Sequence, residues 1–417
     1  MSQPPYSVVA ADINGDGKLD LVSANTDSTY NNLMAFTNKG DGTFRVCSTN
    51  YSGASPYQVV AADFNGDGKM DVAAANNYYD KTLGVLTNNG AGKFTLSTTI
   101  PMPSTYGPRW LATGDVNGDG WPDLIGEPLT GASSMSVFTN NGNGTFTLAS
   151  SPSPPASFAR GVIAVDVNRD GRVDFVTANT GDGTLSIFTN NSRGTFTLAG
   201  LPNVGVSRPV FVTAADVNGD GMVDLITAND TTNTVSILTN NGVGVFKLAS
   251  MVSVGRLSTG SGSVAAGEFY GDGRMSLVNA NFTDNTLTVL TNKGGGIFAS
   301  NATFNVGNGP ISVVTADVNG DGRLDLICAD NNDKTLVVLT NTGTFKPRLA
   351  VKLSGNNVVV SWASSWTGWA GWILQQNTNL ATTGWTNFSG TIGDDGTTKT
   401  ATNSPVTGNK FFRLSHP

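Results

Sequence analysis

A seven-bladed β-propeller with four-stranded blades, followed by a small β-sandwich-like domain, is the architecture predicted by three features of the sequence. A nine-residue acidic motif returns seven times, starting at Asp12, Asp63, Asp115, Asp166, Asp216, Glu268 and Asp317, in steps of 49–52 residues. Four short apolar runs, separated by turn residues, recur in the same order within each period. Helix-favouring chemistry is scarce: Glu occurs only at Glu127 and Glu268, while Gly accounts for 51 of 417 residues.

Each period justifies its four strands in turn. A Val/Ala-rich run such as "VVAAD" comes first, with side chains small enough to crowd around an axis. The acidic motif follows, then "DLVSAN" or "DLITAN", a polar tip, and "LSIFTN" or "VSILTN". An Asn/Gly turn then leads into the last run, with Gly two residues before Phe44, Phe94, Phe146, Phe196, Phe246 and Phe298. That spacing suits a hairpin needing one left-handed residue. The seventh unit shortens the turn to "TNTGTF" but keeps Phe345, and "FKPRLAV" offers a fourth strand. A sandwich or a solenoid is the rival, but a constant four-strand meander favours a ring. The units run near 1–51, 52–103, 104–155, 156–204, 205–256, 257–306 and 307–347, one continuous unit per blade, so closure rests on face packing.

The formal charge of −7 is unevenly placed, because the seven motifs hold 20 of the 31 acidic residues and six of the 24 basic ones. Acidity therefore belongs to the loops, and the rest of the chain is mildly basic. An oxygen-rich set at alternate positions suits Ca²⁺, which takes six to eight oxygen ligands. In the first loop Asp12, Asn14, Asp16 and Asp20 offer side-chain oxygens, and Lys18 offers its backbone carbonyl. The same places hold Asp63, Asn65, Asp67, Lys69 and Asp71, then Asp115, Asn117, Asp119, Trp121 and Asp123. They hold Asp166, Asn168, Asp170, Arg172 and Asp174, then Asp216, Asn218, Asp220, Met222 and Asp224. The last set is Asp317, Asn319, Asp321, Arg323 and Asp325. A metal-free Asx turn is the simpler reading, but a turn needs one Asp or Asn, and three crowded carboxylates repel without a cation. The fourth loop has Arg169 where the others have Gly. The sixth, "EFYGDGRMS", puts Tyr270 and Ser276 at two ligand positions and is expected to be empty or weak.

The text "D-x-N-G-D-G-x-x-D-L" followed by "AN", together with the "NNGNGTF" turn, resembles the FG-GAP or VCBS repeats, which also form the propeller of integrin α subunits. The likeness covers about residues 1–348. It implies a calcium-bound propeller with the calcium hairpins on one face and partners bound on the other. It implies no single function.

Residues 348–417 break the period and hold five of the seven tryptophans, Trp362, Trp366, Trp369, Trp372 and Trp385. Short β-like runs there suggest a small sandwich, similar to C-terminal domains of some secreted bacterial proteins. Trp362, Trp372 and Trp385 read as core, and Trp366 and Trp369 as loop packing.

The face opposite the acidic loops is uneven. Tyr6, Tyr30, Tyr57, Tyr78, Tyr79, Tyr106, Arg109, Trp110 and Arg160 form the candidate ligand face. Tyr and Trp join an apolar face to a polar edge, which suits sugars or protein partners. The bland alternative is that these rings pack beneath loops. Six residues before each acidic loop stand Tyr6, Tyr57, Arg109, Arg160, Val210, Gly262 and Ile311, at the expected mouth of the ring.

Catalysis finds little support. The one histidine is His416, and Glu127 is expected to cap a turn beside Pro128. Some calcium propellers belong to lyases, which keeps a polysaccharide-active enzyme as the least favoured reading. The favoured one is an extracellular calcium-binding module for glycans or proteins, and the alternative is a subunit of a surface layer or filament. No apolar run nears the roughly 20 residues of a membrane span. Nothing points to nucleic acid, and no signal peptide follows Met1, so the chain is read as a form without its leader. Cys47 and Cys328 fall in neighbouring blades of a closed ring; a disulfide and two buried free thiols are both open, the thiols being favoured.

Overall fold

The structure is a computed structural model. It describes all residues except 2, 27–30, 78, 105, 129–133, 156–157, 192, 259–261, 344–349, 355–356, 364–372, 378–384, 395–397, 404–410 and 416–417. Tyr30, Tyr78, Phe345, Trp366, Trp369, Trp372 and His416 thus lie outside the described residues, as does the side chain of Trp362. The chain divides into two compact units. The larger comprises Met1–Gly267, Arg274–Gly320 and Leu324–Asn341, and the smaller Glu268–Gly273, Asp321–Arg323 and Thr342–Pro417.

The larger unit is an all-β propeller. Among the described residues it holds seven antiparallel sheets, six of four strands and one of three, each paired in chain order. The first sheet comprises Pro5–Ala11, Asp20–Thr26, Asn31–Asn38 and Phe44–Asn50. The inner strands of the later sheets are Pro56–Ala62, Pro108–Gly114, Ala159–Val165, Pro209–Ala215, Ser263–Gly267 and Pro310–Ala316. Each inner strand touches the next, and Pro310–Ala316 touches Pro5–Ala11, so the sheets close into a ring. Among the described residues no helix is long and apolar enough to cross a membrane.

The core lies between sheets, which is where an edge-on ring can bury both faces. The second strands, such as Asp71–Asn76 and Asp224–Asn229, are buried at every residue because a neighbouring sheet covers each side. Between the first two sheets, Val22, Leu33 and Ala35 pack with Val59, Val72, Leu86 and Phe94. Between the seventh and first, Val8 and Leu21 pack with Val318, Ile327 and Ala329. Outer strands alternate between buried and exposed residues, as in Phe94–Pro101.

The seventh sheet consists of Pro310–Ala316, Asp325–Asp330 and Thr335–Leu339. The fourth strand expected over 345–351 is corrected at its end. Ala350 and Val351 pair with Ser361 and Val360 in the smaller unit, and residues 345–349 lie outside the described residues. The smaller unit itself holds two sheets, one of four strands and one of three. Val360, Leu374 and Ala401 form its core beside Phe388 and Phe412. Trp385 is half-buried, with the Arg413 guanidinium 4.4 Å from its ring centre.

Both thiols are free. Cys47 faces the second sheet, its Sγ 3.4 Å from the Gly92 carbonyl, and so points away from the seventh, where Cys328 is buried.

Candidate functional site

Antiparallel order puts two kinds of loop at opposite ends of the ring. The acidic loops, between first and second strands, share one end with the turns between third and fourth strands. Gly92, in the second sheet's turn, donates its N–H to the Ile13 carbonyl in the first loop at 3.1 Å. The starts of the inner strands form the other end.

Each acidic loop winds around its first carboxylate. Asp12 Oδ1 accepts the Gly15 N–H at 2.7 Å, and Oδ2 accepts that of Gly17 at 2.8 Å. Asn14 and Asp16 each accept the N–H two residues on, at 2.9 and 3.0 Å. Gly15 and Gly17 are left-handed, at φ of 74° and 80°. Arg169 takes the first of these positions in the fourth loop at φ 63°, and the loop keeps its bonds, Arg169 and Gly171 donating to Asp166 at 2.7 and 2.9 Å. A non-glycine residue held there costs on the order of 1 kcal/mol.

The ninth residue does something different. Asp20 is fully buried, and its two oxygens accept the N–H groups of Ile13 and Asn38 at 3.1 and 2.7 Å. Asp71, Asp123, Asp174, Asp224 and Asp325 repeat this pair of bonds at 2.7–3.2 Å. Burial, with the carboxylates at positions five and one adding to it, pushes Asp71, Asp123 and Asp174 up to about 6. Asp20 and Asp224 are raised for the same reasons.

The asparagine that meets each ninth residue joins one sheet to the one before it. Asn38 Nδ2 donates to the Val318 carbonyl at 2.7 Å, which ties the first sheet to the seventh. Asn88, Asn140, Asn190, Asn240 and Asn292 make the equivalent bond at 2.6–2.8 Å. Sequence reading missed this staple. Its signal was the unvarying "TN" that ends the third strand.

The seventh-position side chains lie across the neighbouring turn. A Cβ added at Gly90 would sit 2.9 Å from Lys69, one at Gly142 2.7 Å from Trp121, and one at Gly242 2.8 Å from Met222. The sixth loop is the exception. Glu268 accepts the N–H groups of Tyr270 and Asp272 at 3.1 and 3.0 Å. Ser276, in the ninth place, accepts Asn292 N–H at 3.3 Å.

The donor chemistry of the other six loops fits a hard cation. It is all oxygen and it concentrates negative charge. Among the described residues, however, no three acidic, histidine or cysteine groups are gathered so as to hold a metal ion in this arrangement, since the first and fifth carboxylates turn onto backbone N–H groups.

At the opposite end lies a cavity of about 320 Å³, lined by Tyr6, Tyr57, Arg109, Trp110, Phe211 and Ile311 among others. The Tyr6 and Tyr57 rings are 4.5 Å apart, and Trp110 meets Phe211 edge-on at 6.1 Å. The Arg109 guanidinium stands 5.0 Å from the Tyr57 ring and 5.6 Å from the Trp110 ring. Of the candidate ligand face, Tyr6, Tyr57, Arg109 and Trp110 therefore converge. Arg160 is half-buried at the start of the fourth sheet's inner strand and does not line the cavity, and Tyr79 and Tyr106 are exposed away from it.

Behind the mouth is Glu127. The expected turn cap is corrected: Glu127 lies within the strand Asp123–Pro128, pairs with Trp110, and is fully buried. Neither oxygen has a hydrogen-bond partner, and the Thr177 hydroxyl beside it is also unpartnered. Desolvation holds its pKa well above 4.5, and the Thr177 hydroxyl beside it and the guanidinium groups of Arg160 and Arg109 draw it down only in part. The other six units carry alanine at this place: Ala24, Ala75, Ala178, Ala228, Ala280 and Ala329.

A family model described as FG-GAP-like repeat matches residues 12–74, 63–126, 129–177, 166–227, 216–279 and 269–328. Cartilage acidic protein 1 of Xenopus tropicalis is 27% identical over 202 residues, covering 41% of this chain and 30% of that protein. Integrin alpha-PS5 of Drosophila melanogaster is 34% identical over 100 residues, 21% of this chain and 10% of that protein. The chain thus spans under a third of the length of these relatives. Two solved structures show the same fold at 14% identity. One is a functionally unknown protein from Desulfotomaculum acetoxidans DSM 771, with a TM-score of 0.54 over 75% of this chain and 90% of that one. The other is the exotype rhamnogalacturonan lyase YesX, with a TM-score of 0.51 over 82% and 73%.

Proposed function

Because this chain belongs to the FG-GAP-like repeat family, we propose that it is an extracellular binding module, with calcium holding the loop end of the ring and a glycan or protein ligand seated at the mouth. The observation that carries this reading is the cavity where Tyr6, Tyr57, Arg109 and Trp110 converge. The cartilage and integrin proteins among its relatives support an extracellular or cell-surface setting.

In the six loops with a complete donor set, calcium would neutralise the carboxylates crowded at positions one, five and nine. Loops of extracellular modules bind calcium at about 10⁻⁴–10⁻³ M, a range that suits the outside of a cell. Asn14 and its equivalents supply neutral oxygen, and the backbone of Lys18 and its equivalents a carbonyl. The sixth loop has lost two donors and is left out.

The test is an array of glycans and extracellular-matrix proteins probed with the full chain, paired with size-exclusion chromatography in calcium and in chelator. Specific binding by a monomer supports the reading. Calcium-dependent polymerisation without any ligand would replace it with a surface-layer role, and turnover of a bound polysaccharide with an enzyme.

A further inference from the structure

Several arginines in this protein have a carboxylate partner. Arg208 pairs with Asp230 at 2.9 Å, Arg256 with Asp284 at 2.7 Å and Arg323 with Asp321 at 3.1 Å. Arg109 differs. Its guanidinium is half-buried and lines the mouth, and its neighbours there are the faces of Tyr57 and Trp110. Among the described residues no carboxylate stands within ion-pairing distance of it, and its Nε is buried without an acceptor. The indole Nε1 of Trp110, the next residue, also lacks one. Glu127 is the nearest buried carboxyl group on the adjoining strand, and it bonds neither Arg109 nor Arg160. A half-buried cation held by rings and lacking its counter-ion is costly in a fold that gains nothing from it.

We propose that the missing counter-ion is the carboxylate of a hexuronic-acid residue at the end of an acidic glycan, received by Arg109 between the aromatic walls of the mouth. This rests on the binding-module reading above and gives its ligand a chemical class. A guanidinium receives a carboxylate through two parallel N–H···O bonds. A uronic acid carries that group on a ring whose apolar C–H face can lie on Tyr or Trp. An aspartate or glutamate side chain would satisfy Arg109 but leave the walls of Tyr6, Tyr57 and Phe211 uncovered. At about 320 Å³ the cavity falls at the small end of ligand sites, which run roughly 300–1,000 Å³. That size admits about one sugar ring.

Titration calorimetry of the full chain tests this, with galacturonate- and glucuronate-ended trisaccharides, their methyl esters, a neutral galactose trisaccharide and a glutamate-rich peptide. The acids should bind at least tenfold more tightly than the esters or the neutral sugar. Arg109→Ala should lose that preference, and Arg109→Lys should retain part of it. Equal binding of acid and ester would overturn the carboxylate assignment, while the binding-module reading stands. Binding of the acidic peptide in place of the sugars would overturn the glycan class alone. If no uronate binds and the glycan and protein array is also blank, both readings fail together. If Arg109→Ala does not fold, the acid–ester ratio of the wild type and of Arg109→Lys decides.

Discussion

The two ends of the ring differ in how they use repetition. At the loop end nearly every contact recurs: the first carboxylate caps its loop, the ninth bonds two N–H groups, and an asparagine ties each sheet to the one before. At the mouth the side chains vary around the ring: the position six residues before each loop reads Tyr, Tyr, Arg, Arg, Val, Gly and Ile. Equivalent sheets need equivalent joints, so what repeats serves the ring. A ligand breaks the symmetry, so what departs from the repeat is where binding is to be sought. The sixth loop and Glu127 are the informative exceptions, one at each end.

The largest expected effect separates the ends by removing calcium. Six sites at tenfold their dissociation constant add roughly 1.4 kcal/mol each, about 8 kcal/mol together. A chelator should therefore lower the melting temperature by about 10 °C or more. Coincident melting curves in calcium and in chelator would remove the structural role of the loops.

A smaller effect compares two loops with calcium absent from both. Asp71→Ala strands the buried N–H groups of Phe64 and Asn88, whereas Ser276→Ala strands that of Asn292 alone. In chelator, urea unfolding should show the first variant about 2 kcal/mol less stable than the second, at about 1–3 kcal/mol per stranded group. Equal losses would mean that the ninth carboxylate does no bonding work beyond the metal.

The smallest effect belongs to the mouth. Glu127 has a folded pKa well above its ordinary 4.5, burial outweighing the pull of the Thr177 hydroxyl, Arg160 and Arg109. The folded state therefore keeps a proton that the unfolded chain has released. The stability this contributes is full below about pH 4.5 and is lost as pH rises toward the folded value. Wild type should lose stability relative to Glu127→Gln as pH rises from about 4.5 to about 8. Parallel pH profiles would show Glu127 to be paired in solution.

Much of the fold was legible because it is written seven times. The period, the four runs and the glycines before Phe44 to Phe298 each name a local geometry, and "VVAAD" is small enough for an axis. Only pairing decides where Ala350 and Val351 belong, because their sequence is as strand-like for one unit as for the other. The ninth aspartate was read as a donor to metal alone, since a carboxylate's backbone partners leave no mark at its own position. Glu127 was taken for a cap because Pro128 follows it, although alanine in the other six units marked the site as interior. At the mouth, four of the chosen residues met because a shared register gathers them, while Tyr79 and Tyr106 sit on tips that register does not control.

Amide hydrogen exchange of the full chain, in millimolar calcium and in chelator, tests the division between the ends most directly, with the sixth loop as internal control. Protection should fall on chelation at the amides of Gly15, Gly17 and their equivalents in the loops starting at 12, 63, 115, 166, 216 and 317. It should be unchanged at Tyr270 and Asp272 and along the inner strands that carry Tyr57 and Arg109. An equal loss in the sixth loop, or a first loss at the mouth, would contradict it.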